Sequence, residues 1–390
     1  MAAGLSSNGA AVRQLAAWVR ASGKAWWLPA TRCPTVCWPR CTPWELATLA
    51  ASFVALVVSE AAAQSDPGPA AIFDIELRDI AVIGAASDPA SPTLSARAAI
   101  IGPWIVTGPM YERGYLYVYD RGGRFQRRIG GSGEGPGEFG RLRIVSMHVS
   151  GDSLYVLGVG GPRVHVFTRD LDLAREARLP TPAFDFAPVA NVIALNPLLV
   201  SQGPLVIADW KGRRVAEITD QDDAVRQTTR AAQTRYLHES AEGVWEQRET
   251  EYRLRLIDPE RKEVTRRLDF ERDWFPPLSD EAQRKRVFAG GIWEDSGYLW
   301  VLFHVYAQDG WPAFGEPSTP AGLDAWYDTI IEVIDIQSGT VVAAARDPRR
   351  IERATGGLMS HLRETQSGDH RLALLRPVLR TKPVGPGSRR

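Results

Sequence analysis

Along most of this chain, apolar residues come in short runs with polar punctuation. From about Phe73 onward, stretches of Val, Ile, Leu, Tyr, Phe and Trp recur, bounded by Gly, Pro, Asp and Asn. No stretch carries a convincing helical period. Short β-branched and aromatic runs closed by turn residues predict strands, and many of them predict an all-β fold. Residues 151–170, GDSLYVLGVGGPRVHVFTRD, display the unit. Gly151 and Asp152 make a turn, Leu154–Leu157 a strand, Gly158–Pro162 a second turn and Arg163–Phe167 another strand. In that last strand Val164 and Val166 share one face, and Arg163, His165 and Phe167 share the other.

The layout recurs about every 50 residues, the signature of a repeat architecture. Trp104–Val106 precedes Tyr115–Tyr119, Leu205–Ile207 precedes Arg214–Ile218, and Leu299–Val301 precedes Ile331–Asp335. Val244–Glu246 with Tyr252–Asp258 fills the double interval, and Leu358–Leu362 with Arg371–Leu375 gives a weaker sixth pair. Several units run into an Asp-started turn: Asp120-Arg121-Gly122-Gly123, Asp258-Pro259-Glu260-Arg261, and Asp335-Ile336-Gln337-Ser338-Gly339. Asp opens such hairpins and Gly supplies positive φ. Six units of about four strands each predict a six-bladed β-propeller of four-stranded antiparallel blades over residues 72–378. A strand at Ile75–Val82 is expected to close the last blade beside Arg371–Arg376, which leaves no open sheet edge at the seam.

One segment could argue for another fold. Residues 130–140, GGSGEGPGEFG, contain the pattern G-x-G-x-x-G. A dinucleotide fingerprint needs a helix N-terminus after the loop, because the helix end supplies amides and dipole to the pyrophosphate. The residues after this loop are RLRIVSMHV, a strand-like run. The plain reading is a connector between blades, with Phe139 buried between them. On those residues, GEGPGEFGRLRIVSMHVSGDSLYVLGVGGPRVHVFTRD resembles the NHL-repeat pattern: a G-x-G-P-G-E-F connector, a strand, an Asp-Gly turn and L-Y-V. The chain from about 72 to 378 resembles six-bladed propeller proteins of bacterial envelopes that carry one such connector. Trp274-Phe275-Pro276-Pro277 and IEVIDIQSGTVVA at 331–343 strengthen the likeness. It departs at Leu142, where the pattern has Pro, and at Gly158, where it has Asp.

The first sixty-odd residues change the picture of where the protein works. Residues 46–58, LATLAASFVALVV, are an unbroken apolar run followed by Ala61-Ala62-Ala63. That is the form of a secretory signal, with cleavage expected after Ala63 and residues 1–63 as leader. Thirteen apolar residues fall short of the about 20 that cross a bilayer, so no transmembrane helix is expected after cleavage. The expectation is a periplasmic or extracellular protein. Cys33, Cys37 and Cys41, all the cysteines of the chain, lie in the leader. The mature protein would then hold no disulfide and depend on packing alone. Residues 379–390 read as a disordered tail.

Charge excludes one class of partner. Equal numbers of basic and acidic residues, 46 each, give no footprint for nucleic acid. Propellers bind ligands at one mouth of the central channel. The residues expected there are Arg143 and His148 in the second blade, Trp293 and Glu294 in the fifth, His304 with an insertion at about 305–328 that carries Trp311 and Phe314, and His361 in the sixth. The six histidines share no short ligand spacing, and neither H-E-x-x-H nor G-x-S-x-G occurs. The reading is an exported, monomeric binding scaffold whose partner is an unknown ligand or envelope protein, with no cofactor. The resemblance leaves an alternative open: a lactonase- or lyase-like enzyme with a divalent cation in the channel.

Overall fold

The structure, a computed structural model, describes residues 72–84, 97–108, 114–133, 135–139, 144–158, 163–197, 204–219, 235–248, 252–275, 287–307 and 319–382. The leader at 1–63 therefore lies outside the described residues, as do Arg143, Trp311 and Phe314. Six four-stranded antiparallel sheets form six blades. Blade 1 runs β2 (Arg97–Ile101), β3 (Trp104–Gly108), β4 (Tyr115–Asp120), β5 (Phe125–Gly130). Blade 2 runs β6 (Ile144–Ser150), β7 (Ser153–Gly158), β8 (Arg163–Phe167), β9 (Leu173–Arg178). Blade 3 runs β10 (Ala183–Val189), β11 (Val192–Pro197), β12 (Leu205–Asp209), β13 (Arg214–Ile218). Blade 4 runs β14 (Arg235–Ser240), β15 (Gly243–Arg248), β16 (Arg253–Asp258), β17 (Glu263–Asp269). Blade 5 runs β18 (Phe288–Asp295), β19 (Tyr298–Tyr306), β20 (Tyr327–Asp335), β21 (Val341–Asp347). Blade 6 holds β22 (Ile351–Ala354), β23 (Leu358–Glu364) and β24 (His370–Thr381), and its outer strand is β1 (Phe73–Ile83), from the start of the described chain.

That last arrangement is the expected latch. β1 pairs with β24 from Phe73 opposite Thr381 to Ile83 opposite Leu372, with one bulge between Asp79 and Ala81. Because β24 runs to Thr381, residues 379–381 belong to the sheet rather than to a tail. The ring is closed by packing as well as pairing. Six apolar clusters fill the six seams between successive blades. The closing one joins Leu358, Leu372 and Leu374 of blade 6 to Ala98, Ile105 and Tyr119 of blade 1. Tryptophans fill these seams: Trp245 lies in the seam between blades 4 and 5, and Trp293 and Trp300 lie in the next.

The turn from third to outer strand is built alike in all five continuous blades. In blade 1, Asp120 accepts from the amides of Gly122 and Arg124, and Gly123 sits at φ +80°. Asp209, Asp258 and Asp335 do the same work in blades 3, 4 and 5. Thr168 takes this place in blade 2, accepting from Asp172 N. One expectation is corrected here. Leu205–Ile207 and Arg214–Ile218, read as repeating the layout of Trp104–Val106 and Tyr115–Tyr119, are the third and outer strands of blade 3, whereas those are the second and third of blade 1; the second strand of blade 3 is β11. The error comes from β10. Asp185 and Pro188 interrupt its apolar pattern, but an innermost strand is a sheet edge, where Pro costs no ladder bond.

The glycine-rich segment is a connector. Its amides are consumed internally. Gly135 N donates to Glu138 Oε2 at 2.6 Å, and Gly137 N donates to Glu176. Phe139, only 2% exposed, sits in the seam between blades 1 and 2 with Val106, Leu116, Leu154 and Phe167. The next described element is strand β6. With the amides of Gly135 and Gly137 already bound to carboxylates, this loop offers a phosphate neither those donors nor a favourable charge.

Candidate functional site

The innermost strands β2, β6, β10, β14, β18 and β22 surround the axis, and their first residues meet at one mouth. Three of them open with a bulge, at Ile144/Ser146, Ala183/Asp185 and Ala289/Gly291. A bulge re-aims the side chains that follow it. Here it brings Ser146 and Asp185 into a recess lined also by Arg97, Ala98, Phe184, Tyr236 and Arg353. Five side chains in this recess are charged or carry a hydroxyl, and they come from five different blades. No sequence neighbour pair among them signals the site.

Asp185 is the hub. It is 3% exposed. Ser146 Oγ donates to its Oδ1, Leu237 N donates to Oδ2 at 2.8 Å, and His148 Nε2 lies 3.5 Å from Oδ1. Burial alone would raise its pKa, but the His148 bond and the Arg353 charge outweigh burial and hold it at about 2. Arg353 crosses three blades. Its Nη1 donates to the carbonyls of Leu237 at 3.0 Å and Ile292 at 2.8 Å, and its Nη2 lies 3.4 Å from His148 Nε2. Gly291, at φ +142°, makes room for it: a Cβ there would meet Arg353 Cβ at 2.6 Å. Burial, and then the Arg353 charge, keep His238 well below its ordinary value; burial also lowers His148, so both imidazoles are neutral at pH 7. A neutral His148 protonated at Nε2 serves Asp185; protonated at Nδ1, it accepts from Arg353.

Arg97 stands at the edge of the recess. It bonds the Tyr236 hydroxyl and lies 3.7 Å from Glu352. Glu352 also accepts from Arg350 Nε at 3.0 Å. Burial would raise Glu352, but the charge of Arg350 leads a set of partners that holds it at about 2. At the far end of β14, burial pushes Glu239 up to about 7.

Of the residues expected from sequence, His148 belongs to this network. His304 lies within electrostatic reach of Glu352, Arg350 and Arg97 beside it, and the others that are described serve other contacts. Trp293 stacks on Trp300 at 5.7 Å inside the seam between blades 5 and 6. Glu294 accepts from Trp245 Nε1 at 3.2 Å and so ties blade 5 to blade 4. His304 donates from Nε2 to Ile351 O at 2.8 Å, across to blade 6. His361 sits on the second strand of blade 6, opposite Ile351, and its Nε2 lies 2.9 Å from Asp324 Oδ2. Asp324 belongs to helix α1 (Pro320–Trp326), in the insertion, which Thr319 caps by accepting from Gly322 N. Asp324 also accepts from Arg350 N, so this part of the insertion is fastened to blade 6. Arg97, Ser146, Asp185, Tyr236 and Arg353 were not foreseen. The signal available for them was position, one hairpin upstream of each second strand, and the Gly290-Gly291 pair inside a strand.

Chemically, the site holds charge rather than a nucleophile. Ser146 donates its proton to Asp185, whose carboxylate, held at about 2, is a weak base. Among the described residues, no three His, Cys, Asp or Glu side chains gather as metal ligands would.

The architecture makes the chain a six-bladed β-propeller. The model of the DUF5128 family, described as a 6-bladed beta-propeller, matches residues 104–194. Two solved structures share the fold. One is a Bacteroides fragilis protein described as a "putative exported protein", 12% identical, with a TM-score of 0.56 over 79% of this chain and 96% of that one. The other is a DUF4221 family member from Bacteroides vulgatus, 9% identical, with a TM-score of 0.53 over 79% and 99%. No curated protein matches the sequence. Among the described residues, no helix is long and apolar enough to cross a membrane.

Proposed function

We propose that this chain is an exported propeller that acts as a binding module, receiving its ligand at the channel mouth where the inner strands begin. The observation that carries the reading is the recess itself: Arg97, Ser146, Asp185, Tyr236 and Arg353 arrive there from five blades. Charged groups withdrawn from water cost several kcal/mol each unless paired, and an apolar axis would avoid that cost. Concave sites with a few convergent polar groups are the default place for ligands. Export is supported by the apolar run at 46–58 with its small residues beyond, and by the Bacteroides fragilis relative described as exported. The NHL-like connector at 130–140 fits an envelope propeller.

Two measurements test the reading. The full chain, tagged at its C terminus and expressed in a Gram-negative host, is expected in the periplasm or medium; retention in the cytosol refutes export. A thermal-shift screen of the purified protein against small polar molecules is expected to give hits that Tyr236→Ala abolishes. Hits indifferent to that substitution would move the site away from the axis.

A further inference from the structure

The charge balance of the recess points to the class of ligand. Three guanidinium groups, Arg97, Arg350 and Arg353, surround two carboxylates held ionised, Asp185 and Glu352. With His148 and His238 neutral, one positive charge is in excess among these groups, and Glu239, which also faces Arg353 and whose carboxyl burial pushes up to about 7, offsets only part of it at pH 7. The carboxylates are also occupied. Asp185 serves Ser146, His148 and Leu237 N, and Glu352 serves Arg350 and Arg97. A cation entering the recess would meet acceptors already in use and a like charge.

An anion meets the reverse. The Nη1 protons of Arg353 are spent on two main-chain carbonyls. On its Nε–Nη2 edge, the fork that takes a carboxylate side-on, the hydrogen-bond partner among the described residues is His148, 3.4 Å from Nη2, while the Asp185 carboxylate faces the same guanidinium. Planar guanidinium forks match carboxylates in bidentate geometry and bind them by charge-assisted hydrogen bonds. Arg97 and the Tyr236 hydroxyl line the same recess, and the walls beside them are Ala98 and the ring of Phe184. Those walls suit a small apolar body.

We propose that this recess binds a small organic monocarboxylate, its carboxylate held between Arg97 and Arg353 and its apolar part against Phe184 and Tyr236. The proposal rests on the axial mouth being the binding site, and the experiment separates the two. Calorimetric titration of the full-length protein would use acetate, butyrate and benzoate, each beside its neutral amide, at fixed ionic strength. At least one acid should bind tenfold or more tightly than its amide. Arg97→Met, which keeps the apolar stem, should weaken that acid at least tenfold, with an unchanged circular dichroism spectrum and unfolding midpoint within a few degrees. Arg353 staples three blades, so its removal is a poorer probe.

If acids and amides bind alike, and both are lost in Tyr236→Ala, the mouth is the site and the carboxylate assignment is overturned. If no acid binds, the assignment is overturned whatever other ligands do. If an acid binds but Arg97→Met leaves its affinity unchanged, both the assignment and the mouth fall. A free acid and the C-terminal carboxylate of a polypeptide present the same group. Gly-Gly-Phe and its C-terminal amide form the last arm: peptide acid binding tighter than benzoate identifies a chain terminus, and weaker binding identifies a free acid.

Discussion

Replacing Asp185 with Ala puts the axial network under the most direct strain. The substitution removes the acceptor for Leu237 N at 2.8 Å, for Ser146 Oγ and for His148. It also removes a buried charge facing Arg353. An orphaned buried N–H costs about 1–3 kcal/mol, and breaking a buried ion pair by deleting one partner costs about 3–5 kcal/mol. Arg353 keeps two carbonyl partners, so the lower end of the ion-pair cost applies, and the expected loss is about 4–6 kcal/mol in total. Two comparisons calibrate it. Ser146→Ala removes only a neutral donor and should cost about 1–2 kcal/mol. Asp152→Ala breaks an exposed pair with Arg169, 3.8 Å apart with side chains 59% and 82% exposed, and should change stability by less than about 0.5 kcal/mol.

The assay is urea unfolding followed by tryptophan fluorescence, from pH 7 down to pH 2. The pH arm has a definite sign. A carboxylate held at about 2 in the folded state against an ordinary 3.8 contributes stability that is complete above about pH 4 and lost as pH falls toward 2. The wild type should therefore approach Asp185→Ala by about 2 kcal/mol between those limits. Glu352, held at about 2 as well, loses its own contribution in the same window in both proteins and cancels in the difference. An Asp185→Ala protein within about 1 kcal/mol of wild type at pH 7, or a gap that stays constant to pH 2, refutes the reading of Asp185 as an ionised hub.

Three further outcomes are expected. Deleting residues 72–84 strips β1 from β24 and exposes a sheet edge, so the melt should lose its cooperative transition and light scattering should report association; an unchanged melt refutes the latch. Phe139→Ala empties the seam between blades 1 and 2 and should cost about 3–5 kcal/mol in urea unfolding, while millimolar dinucleotide leaves the wild-type midpoint where it was. Glu239, pushed up to about 7 by burial, holds its proton more tightly folded than unfolded. Stability should therefore fall as pH rises from about 5 to 8, by about 1–3 kcal/mol after solvent screening, and Glu239→Gln should remove that slope.

The fold was legible because its signals are local and repeated. Tyr115–Tyr119, Leu154–Leu157 and Leu299–Val301 are strands on composition alone, and the turns at Asp120, Asp258 and Asp335 announce hairpins. The latch at Ile75–Val82 follows from needing a partner for the last sheet. Where the repeat carries something besides packing, the pattern breaks. β10 holds Asp185 and Pro188 within seven residues, and the blade reads one strand out of step as a result. The axial residues Arg97, Ser146, Asp185, Tyr236 and Arg353 span 257 positions of the chain and become neighbours only by ring closure, so no spacing rule reaches them. The histidines and Trp293 stood out by residue type. Burial turned most of them into ties between blades, as with His304 on Ile351 O.

The innermost strands leave main-chain groups facing the axis, and a buried main-chain group must find a partner. Much of the polar network answers that need. Asp185 takes Leu237 N, Arg353 takes Leu237 O and Ile292 O, His304 takes Ile351 O, and Asn196 Nδ2 takes Arg235 O at 3.1 Å. These side chains suture one blade to the next, and a propeller without any ligand would want them. Arg97 and Tyr236 are different. They bond each other at the rim of the recess, side chain to side chain, with Glu352 beside Arg97. Under the proposed function, structural and binding roles therefore fall on separable residues of one site. Stability should follow Asp185, and ligand affinity should follow Arg97. A variant of Arg97 that unfolds as readily as Asp185→Ala would show that the whole cluster is suture and the recess only what remains between the stitches.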